Sequence, residues 1–333
     1  MDLSVQPSVI HVQRWTAASV ITVSAVVAVL VLLAFGPTLF SPNAMNALTR
    51  LFVYVILAVM WNALAGYGGL ISIGQQGFFG LGAYAAIRLS DFGIDPYGAI
   101  FIGALGIGLL SIPIGALMLK LKEGPFAIGT WVVAELLMLL VTLDPIVNGD
   151  TGTSLLQLVS FPAPLRRSLT YWAALGSMVA LLVVLFVLLR HRLGVSIQAI
   201  RDDEDAAGSV GVRVMSTKRI LFVIAAVASA VAGGLWVAST ITFQPPSFFS
   251  VDWSAFMIFM VLVGGIGTFE GAIIGAVIFF LLENYLGATG VWYLITIGAV
   301  SLGFALLLPR GIWGTVQRRF GLSLLPVGYR VRL

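Results

Sequence analysis

Stretches of about 20 mostly apolar residues recur along this chain of 333 residues, separated by short polar segments. A helix of that length crosses a hydrocarbon core about 30 Å thick. Inside the core, the backbone N–H and C=O groups must be satisfied internally, as they are in an α-helix. The pattern therefore predicts an all-α, polytopic membrane protein with about ten transmembrane helices. The predicted spans are 17–40, 44–65, 68–90, 97–119, 126–143, 171–189, 219–240, 253–266, 270–284 and 291–308.

The composition supports the membrane class and excludes several functions. Hydrophobic residues make up 59% of the chain and charged residues 10%, whereas soluble domains have about 45–50% and about 25%. Because cysteine is absent and His11 and His191 cannot form a metal site alone, we expect neither a bound metal nor a cofactor. The apolar run of roughly 24 residues after residue 16 exceeds a signal-peptide core of about 7–15, which favours a retained first span over cleavage near Ser41.

The positive charges predict the orientation of the chain. With ten spans and a cytoplasmic N-terminus, 14 of the 18 Lys and Arg residues face the cytoplasm, and only Arg50, Arg88, Arg166 and Arg167 lie outside. In a membrane protein this bias marks the cytoplasmic side, so nucleic acid is not an expected partner. We expect both termini in the cytoplasm and one transmembrane domain over residues 1–333. Its cytoplasmic parts would be a loop at about 191–218 and a basic tail at 310–333.

One segment of that loop combines apolar residues with five consecutive charges: GVSIQAIRDDEDAAGSVGV, Gly194–Val212. The spacing predicts one short amphipathic helix, ended by Gly208 and Gly211. Such a helix outside the membrane suits the groove of a partner protein, and the alternative is a solvated loop without a partner. In the helix, one side would carry Ile197, Ile200 and Ala207, and the side towards water or a partner would carry Asp202, Asp203 and Asp205.

Two glycine-rich segments predict irregular backbone: GYGGLISIGQQGFFGLGAY (Gly66–Tyr84) and VGGIGTFEG (Val263–Gly271). Irregular backbone at membrane depth is tolerated only when it is buried in protein or lines a wet cavity, and in transporters it points to the binding site. Gly265 and Gly267 are therefore candidates for a translocation path. For most other glycines, including the GxxxG pattern Gly271–Gly275, we expect close helix packing.

Motifs for catalysis are missing from the sequence. The segment GPFAIGT, Gly124–Thr130, has the glycine spacing of a phosphate-binding loop but lacks its Lys, so this chain is not expected to hydrolyse ATP. The HExxH and GxSxG motifs are also absent. We therefore expect a protein that is not an enzyme.

A few polar side chains within the predicted spans are candidates for a translocation path. Glu135 lies near the middle of its span, where an ionisable residue is costly and is by default a functional candidate. The alternative is a buried carboxylate that serves helix packing. A second candidate lining consists of Asn62, Ser72, Gln75 and Gln76, for which packing hydrogen bonds are the alternative. Glu283, near the outer end of its span, is expected to be solvated.

Five blocks in the same order carry a family resemblance. The sequence resembles the LivM-type permease subunit of branched-chain amino acid ABC importers over roughly residues 45–312. The blocks are GLISIGQQGFFGLGAYAA, GPFAIGTWVVAEL, GVSIQAIRDDEDAAGSVGV, MVLVGGIGTFEGAIIGA and LPRGI. Two features depart from the family pattern: NGDTGTSLL (Asn148–Leu156) replaces a fuller Thr-Gly-Gly-Ser run, and Gln75–Gly77 is more polar than expected.

The resemblance implies a permease of the bacterial inner membrane that pairs with a LivH-like second permease or with its own copy. Two cytoplasmic ATPase subunits would use ATP, and a periplasmic binding protein would deliver the substrate. The substrate would be leucine, isoleucine or valine, or a related solute such as urea, an amide or an aromatic acid. The alternative function is an ion-gradient-driven transporter or channel. The residues that the resemblance implies for ATPase docking are Ile200, Arg201, Asp202, Asp203, Glu204, Asp205, Ala207 and Gly211.

Overall fold

The computed structural model describes residues 11–13, 17–320 and 330–332 of the chain. Two parts of the chain lie outside the described residues: 1–10 and 14–16 of the predicted cytoplasmic N-terminus, and 321–329 and 333 of the predicted basic tail. Fifteen α-helices form in the described part: α1 (Ala17–Ala34), α2 (Gly36–Leu39), α3 (Pro42–Asn62), α4 (Gln75–Asp91), α5 (Pro96–Met118), α6 (Glu123–Thr142), α7 (Ala163–Arg190), α8 (Arg192–Asp202), α9 (Glu204–Ser209), α10 (Val214–Thr240), α11 (Pro245–Phe248), α12 (Asp252–Gly264), α13 (Phe269–Leu286), α14 (Val291–Leu307) and α15 (Gly311–Phe320).

Strands are confined to two short antiparallel pairs in the described residues. β1 (His11–Gln13) pairs with β4 (Arg330–Arg332), and β2 (Thr153–Ser154) pairs with β3 (Thr242–Phe243). The second pair ties the loop after α6 to the loop after α10. The fold is therefore all-α, as predicted.

Ten of these helices correspond to the ten predicted spans: α1, α3 to α7, α10 and α12 to α14. In the described part, eight helical segments are long and apolar enough to cross a membrane. The other two spans are the shorter apolar helix α1, and α4, which has 17 residues.

Helices α3 and α10 form the centre of the bundle. They pack against each other; α10 also packs against α4 and α5, and α3 against α7, α12 and α13. Helices α6 and α14 lie at the periphery. Glycine permits the closest crossings: a Cβ at Gly82 would collide with the carbonyl oxygen of Ala230, and a Cβ at Gly275 with that of Met260. The glycine pattern Gly271–Gly275 therefore serves close helix packing, as expected.

The third predicted span, 68–90, is not helical throughout. After α3 the chain makes one π-helical turn, Ala63–Tyr67, and then runs without regular structure until α4 begins at Gln75. In this segment the indole of Trp61 donates to the carbonyl of Ser72 at 2.9 Å, and Ile73 N–H donates to the Thr130 hydroxyl at 3.3 Å. Because Thr130 lies two turns into α6, α4 starts inside the bundle and not at its end.

The predicted start of the sixth span, residue 171, was eight residues late. Helix α7 begins at Ala163, with Pro162 as its N-cap and Pro164 in its first turn. Proline fits the first turn of a helix because it lacks only an N–H that would have no partner there. The two arginines Arg166 and Arg167, expected outside the membrane helix, thus lie within it.

Candidate functional site

The end of the bundle that carries α8 and α9 is called here the α8 end. It also contains the turn after α5, the segment Gly68–Ile71 and the turn between α12 and α13. A cleft of about 660 Å³ lies between the turn after α5, the segment Gly68–Ile71 and the α8–α9 pair. The opposite end, called the far end, carries the β2–β3 pair and the loops that follow α4, α6 and α10.

The segment predicted as one helix forms two. α8 ends at Asp202, and Asp203 adopts an extended conformation that breaks the helix. Its carboxylate accepts hydrogen bonds from the N–H groups of Asp205 and Ala206, at 3.0 and 2.9 Å, so it caps α9. This N-cap competes with continuation of α8 and explains the break. Gly211 follows α9 with a φ of +90°, which is the expected glycine terminus, whereas Gly208 lies within α9.

The apolar side of the pair holds it to the bundle. Ile197, Ile200 and Ala207 are all buried in the chain itself. The predicted docking residues Ile200 and Ala207 therefore face this protein, and a direct contact with a partner would require them to turn outward. The exposed large apolar residues of this region are instead Leu193 and Val195 of α8 and Val210, directly after α9, which is 81% exposed.

The four consecutive acidic residues, 202–205, differ in their contacts and exposure. Asp202 accepts from the Arg201 guanidinium at 2.8 Å, and Asp203 is the cap of α9. Glu204 forms a 2.6 Å ion pair with the buried ammonium of Lys218, which ties α9 to the start of α10. Asp205 is 92% exposed in its side chain and has only a 3.9 Å contact with an exposed lysine. Of the four, Asp205 is the one whose carboxylate is most open to a partner.

Arg201 connects α8 with the central helices. Its guanidinium donates from Nη1 to the carbonyl of Gly66 at 3.0 Å, in the π-helical turn after α3. Close by, the Asn62 side chain accepts from Gly267 N–H at 2.8 Å and donates to the Thr268 carbonyl at 2.9 Å. Two neighbouring sets of hydrogen bonds thus join the end of α3 and its π-helical turn to α8 on one side and to the turn between α12 and α13 on the other.

Gly265 and Gly267 lie in that turn, at the α8 end. Their φ values of +136° and +73° are conformations that favour glycine. The structure places them beside Arg201 and α15, away from the middle of the bundle. Their proposed part in a translocation path stays a prediction.

Gln75 and Gln76 lie inside the bundle at the first turn of α4, and both are fully buried. Gln75 Oε1 accepts from the Ser229 hydroxyl of α10 at 3.1 Å. Gln76 Oε1 accepts from the Ser254 hydroxyl of α12, and its Nε2 has no hydrogen-bond partner in the described residues. The two amides therefore join three membrane helices and leave one donor unsatisfied.

Glu135 lies on the outer surface of the bundle. It is partly exposed on α6, and its carboxylate accepts from the indole of Trp131 at 3.0 Å. Gln75 and Gln76 are on the inner side of the same region, so the structure does not bring the two candidate linings together. A carboxylate on an apolar membrane face is costly, which requires that water or a second protein cover it.

The far end contains the residues that the sequence interpretation missed. Glu283, expected to be solvated, accepts from the Tyr54 hydroxyl at 2.7 Å and lies 3.9 Å from Arg50. Asp144 accepts from the Tyr84 hydroxyl at 2.6 Å and lies 3.5 Å from the Arg88 side chain. The Tyr84 hydrogen bond, the N–H of Ile146 and the nearby Arg88 lower the pKa of Asp144. No local signal marks these pairs, because their members lie far apart in the chain.

Comparison with known proteins shows the class of this protein. A family model described as the branched-chain amino acid transport system permease component matches residues 43–307. The high-affinity branched-chain amino acid transport permease LivM of Escherichia coli K12 is 28% identical over 322 residues, 86% of this chain and 73% of its own length. The ribose import permease RbsC of Bacillus subtilis is 26% identical over 297 residues, 85% of this chain and 89% of its own.

Among solved structures, the chain of a metal-chelate type ABC transporter in an inward-facing conformation matches 85% of this chain and 96% of its own, with 13% identity and a TM-score of 0.47. The sequence matches and the helical membrane fold define an ABC transporter permease, a transporter subunit and not an enzyme. The chain belongs to the branched-chain amino acid permease component family. Family membership thus favours this class over an ion-gradient-driven carrier or channel.

Proposed function

We propose that this chain is the membrane-spanning subunit of an ATP-driven importer for branched-chain amino acids in the bacterial inner membrane. A second permease, LivH-like or a copy of this chain, would complete the pathway. Two cytoplasmic ATPases would supply the energy, and a periplasmic binding protein would deliver the substrate. The α8 end would face the cytoplasm and the far end the periplasm. The positive-inside rule supports this orientation, since the far end has Arg50, Arg88, Arg166 and Arg167 and the α8 end has most other cations.

The observation that carries the proposal is the hydrogen-bonded connection from α8 to the membrane helices through Arg201. The exposed face of α8–α9, with Asp205 and Val210, would dock on an ATPase. Closure of the ATPases around ATP would move this pair, and Arg201 would transmit the motion to α3 and to the turn between α12 and α13. Binding of ATP biases the permease only to the extent that ATP prefers the closed ATPase dimer.

Reconstitution of the whole importer tests the substrate. In proteoliposomes with ATP inside, we expect the binding protein to support uptake of labelled leucine, isoleucine and valine, and not of ribose or urea. Ribose is included because the relative RbsC is a ribose permease. Uptake of ribose or urea in place of leucine would leave the importer class intact and reject the substrate.

A charge reversal at Asp205 tests docking. Because the Asp205 side chain is 92% exposed and its ion pair with the exposed Lys122 is long, at 3.9 Å, we expect Asp205→Lys to leave the fold unchanged and to lower ATPase co-purification and ATP-driven uptake at least about tenfold. The matched control is Asp150→Lys, an exposed acidic residue of the far end. Equal loss in both variants, or no loss in either, would reject docking at α8–α9.

Neutralisation of Glu135 tests the translocation path. If the α6 face lines a wet path shared with the second permease, Glu135→Gln should lower uptake several-fold while the assembled complex keeps its yield. The control is Glu123→Gln in the first turn of α6, whose side chain lies at the α8 end. Unchanged uptake kinetics in Glu135→Gln would assign this carboxylate to packing.

A further inference from the structure

A second cleft lies at the α8 end, at the elbow between α14 and α15. Its volume is about 560 Å³. The residues that line it are Leu307, Leu308, Pro309, Arg310, Thr315, Arg318 and Arg319. The lining thus combines three cations with two leucines and contains no carboxylate.

The three arginines have no anionic partner in the part of the chain that the structure describes. Arg318 and Arg319 follow Thr315 by three and four residues, so all three side chains lie on one face of α15, towards Arg310. In the cleft beside α8 and α9, by contrast, cations are paired with carboxylates: Arg201 with Asp202 and Lys218 with Glu204. An unpaired group of three guanidinium groups favours an anion with oxygen acceptors, such as a phosphate.

The apolar side of the cleft continues the exposed apolar surface of α14. Only two residues of α14 are buried, and Leu306 and Leu307 at its end are 73% and 81% exposed. Seventeen residues span about 26 Å, close to the thickness of the hydrocarbon core, so the elbow lies at the membrane boundary. A ligand in the cleft would therefore contact hydrocarbon on one side and guanidinium groups on the other.

The elbow is fixed by contacts with the turn between α12 and α13. Gly311 has a φ of +66°, and a Cβ there would lie 2.5 Å from the N atom of Gly265. Trp313, on the opposite face of α15 from the arginines, is buried. These contacts hold the elbow against the turn that Asn62 joins to α3.

From this arrangement the geometry points to a binding site for an anionic phospholipid. The phosphodiester would accept hydrogen bonds from Arg310, Arg318 and Arg319, and the acyl chains would lie along Leu306 and Leu307. The exposed leucines favour a lipid over an acidic protein surface, which would leave them in contact with water. Basic clefts beside membrane helices are a suitable environment for anionic headgroups.

Lipid binding by the purified full chain tests this site. Delipidated protein in detergent is titrated with phosphatidylglycerol or phosphatidylcholine, and bound lipid is counted by native mass spectrometry. For the triple variant Arg310→Gln/Arg318→Gln/Arg319→Gln we expect an affinity for phosphatidylglycerol at least about tenfold lower, with phosphatidylcholine unchanged. The matched control, Lys120→Gln/Arg192→Gln/Arg213→Gln, removes three other cations of the α8 end and should stay within about twofold of the wild type.

Further measurements distinguish a bound lipid from free phosphate or a protein partner. Equal loss in the control, or retention of phosphatidylglycerol by the triple variant, would overturn the site. Displacement of the lipid by millimolar inorganic phosphate would assign the cleft to free phosphate instead. Loss of ATPase co-purification with retained lipid would assign it to a protein. If the triple variant is not monodisperse, Arg318→Gln/Arg319→Gln, which leaves Arg310 at the elbow unchanged, replaces it, with an expected loss of at least about threefold.

Discussion

Helices α10 and α14 are similarly apolar and have opposite surroundings. The most apolar stretch of α10 has a mean hydropathy of 2.4 and is 72% buried, whereas that of the segment Val291–Phe320, which contains α14, has a mean hydropathy of 2.1 and is only 6% buried. α10 packs against α3, α4 and α5 at the centre of the bundle, and α14 faces outward. Hydropathy thus identifies both as membrane helices and cannot tell the centre from the periphery.

The difference lies in how the two helices use small and polar residues. A Cβ at Gly233 of α10 would collide with the carbonyl oxygen of Phe79, whereas Gly298 and Gly303 of α14 have no atom within 4 Å of that position. The Ser229 hydroxyl of α10 donates to Gln75 of another helix. In a bilayer, close approach and interhelical hydrogen bonds replace the hydrophobic effect as the forces between helices. The same residue types therefore have a packing role in α10 that they lack in α14.

The largest expected effect comes from one substitution made in both helices. We expect Gly233→Val to remove most of the folded protein, because the backbone of α4 would have to move away from α10. Gly298→Val should change the free energy of unfolding by less than about 0.5 kcal/mol. Size-exclusion profiles and thermal unfolding of the detergent-solubilised variants measure both. A monodisperse Gly233→Val protein of wild-type stability would show that α4 and α10 do not cross as closely as described.

The helices could be predicted from the sequence where polar or proline residues mark their ends. The predicted spans 97–119 and 291–308 differ by one residue from α5 and α14, because Asp95 caps the first and Pro309 follows the second. The start of α7 was missed because arginines were taken as loop residues. The glycines of Gly66–Tyr84 correctly predicted irregular backbone before Gln75. The start of the third span, residue 68, was predicted too early because the segment 68–74 contains apolar residues.

The candidate site could be located from the sequence, but its internal contacts could not. The run of charges from Arg201 to Asp205 correctly indicated a segment outside the bundle core. Its division by the Asp203 cap is local, since the bonds join Asp203 to Asp205 and Ala206, and the sequence interpretation missed it. The contacts of Arg201 with Gly66 and of Glu204 with Lys218 depend on the packing of more distant segments. Separations of 135 residues, as between Arg201 and Gly66, leave no periodic signal in a single sequence.

An ion pair at the start of α10 gives the next smaller effect. Lys218→Met removes the partner of Glu204, and we expect it to lower the free energy of unfolding by about 1–2 kcal/mol, since Lys218 is buried but Glu204 is partly exposed. Arg318→Met, on the helix that follows α14, should lower it by less than about 0.5 kcal/mol. Thermal unfolding in the same detergent compares the two. Similar losses would mean that the pair at α10 contributes no more than an unpaired surface cation.

The smallest effect is expected for a hydroxyl within the membrane. Ser229→Ala removes the donor to Gln75, and interhelical hydrogen bonds in membranes contribute about 0.6 kcal/mol on average, up to about 1.7. Ser301 on α14 forms no interhelical hydrogen bond within the described residues, so Ser301→Ala should be neutral. The double variant Ser229→Ala/Gln75→Leu separates the contribution of the hydrogen bond from the cost of an unsatisfied amide. Its loss in the free energy of unfolding should be smaller than the sum of the losses in the two single variants. Additive losses would mean that Ser229 stabilises α10 by its size alone, and the contrast between the central and peripheral helices would then rest on glycine contacts and on the ion pair.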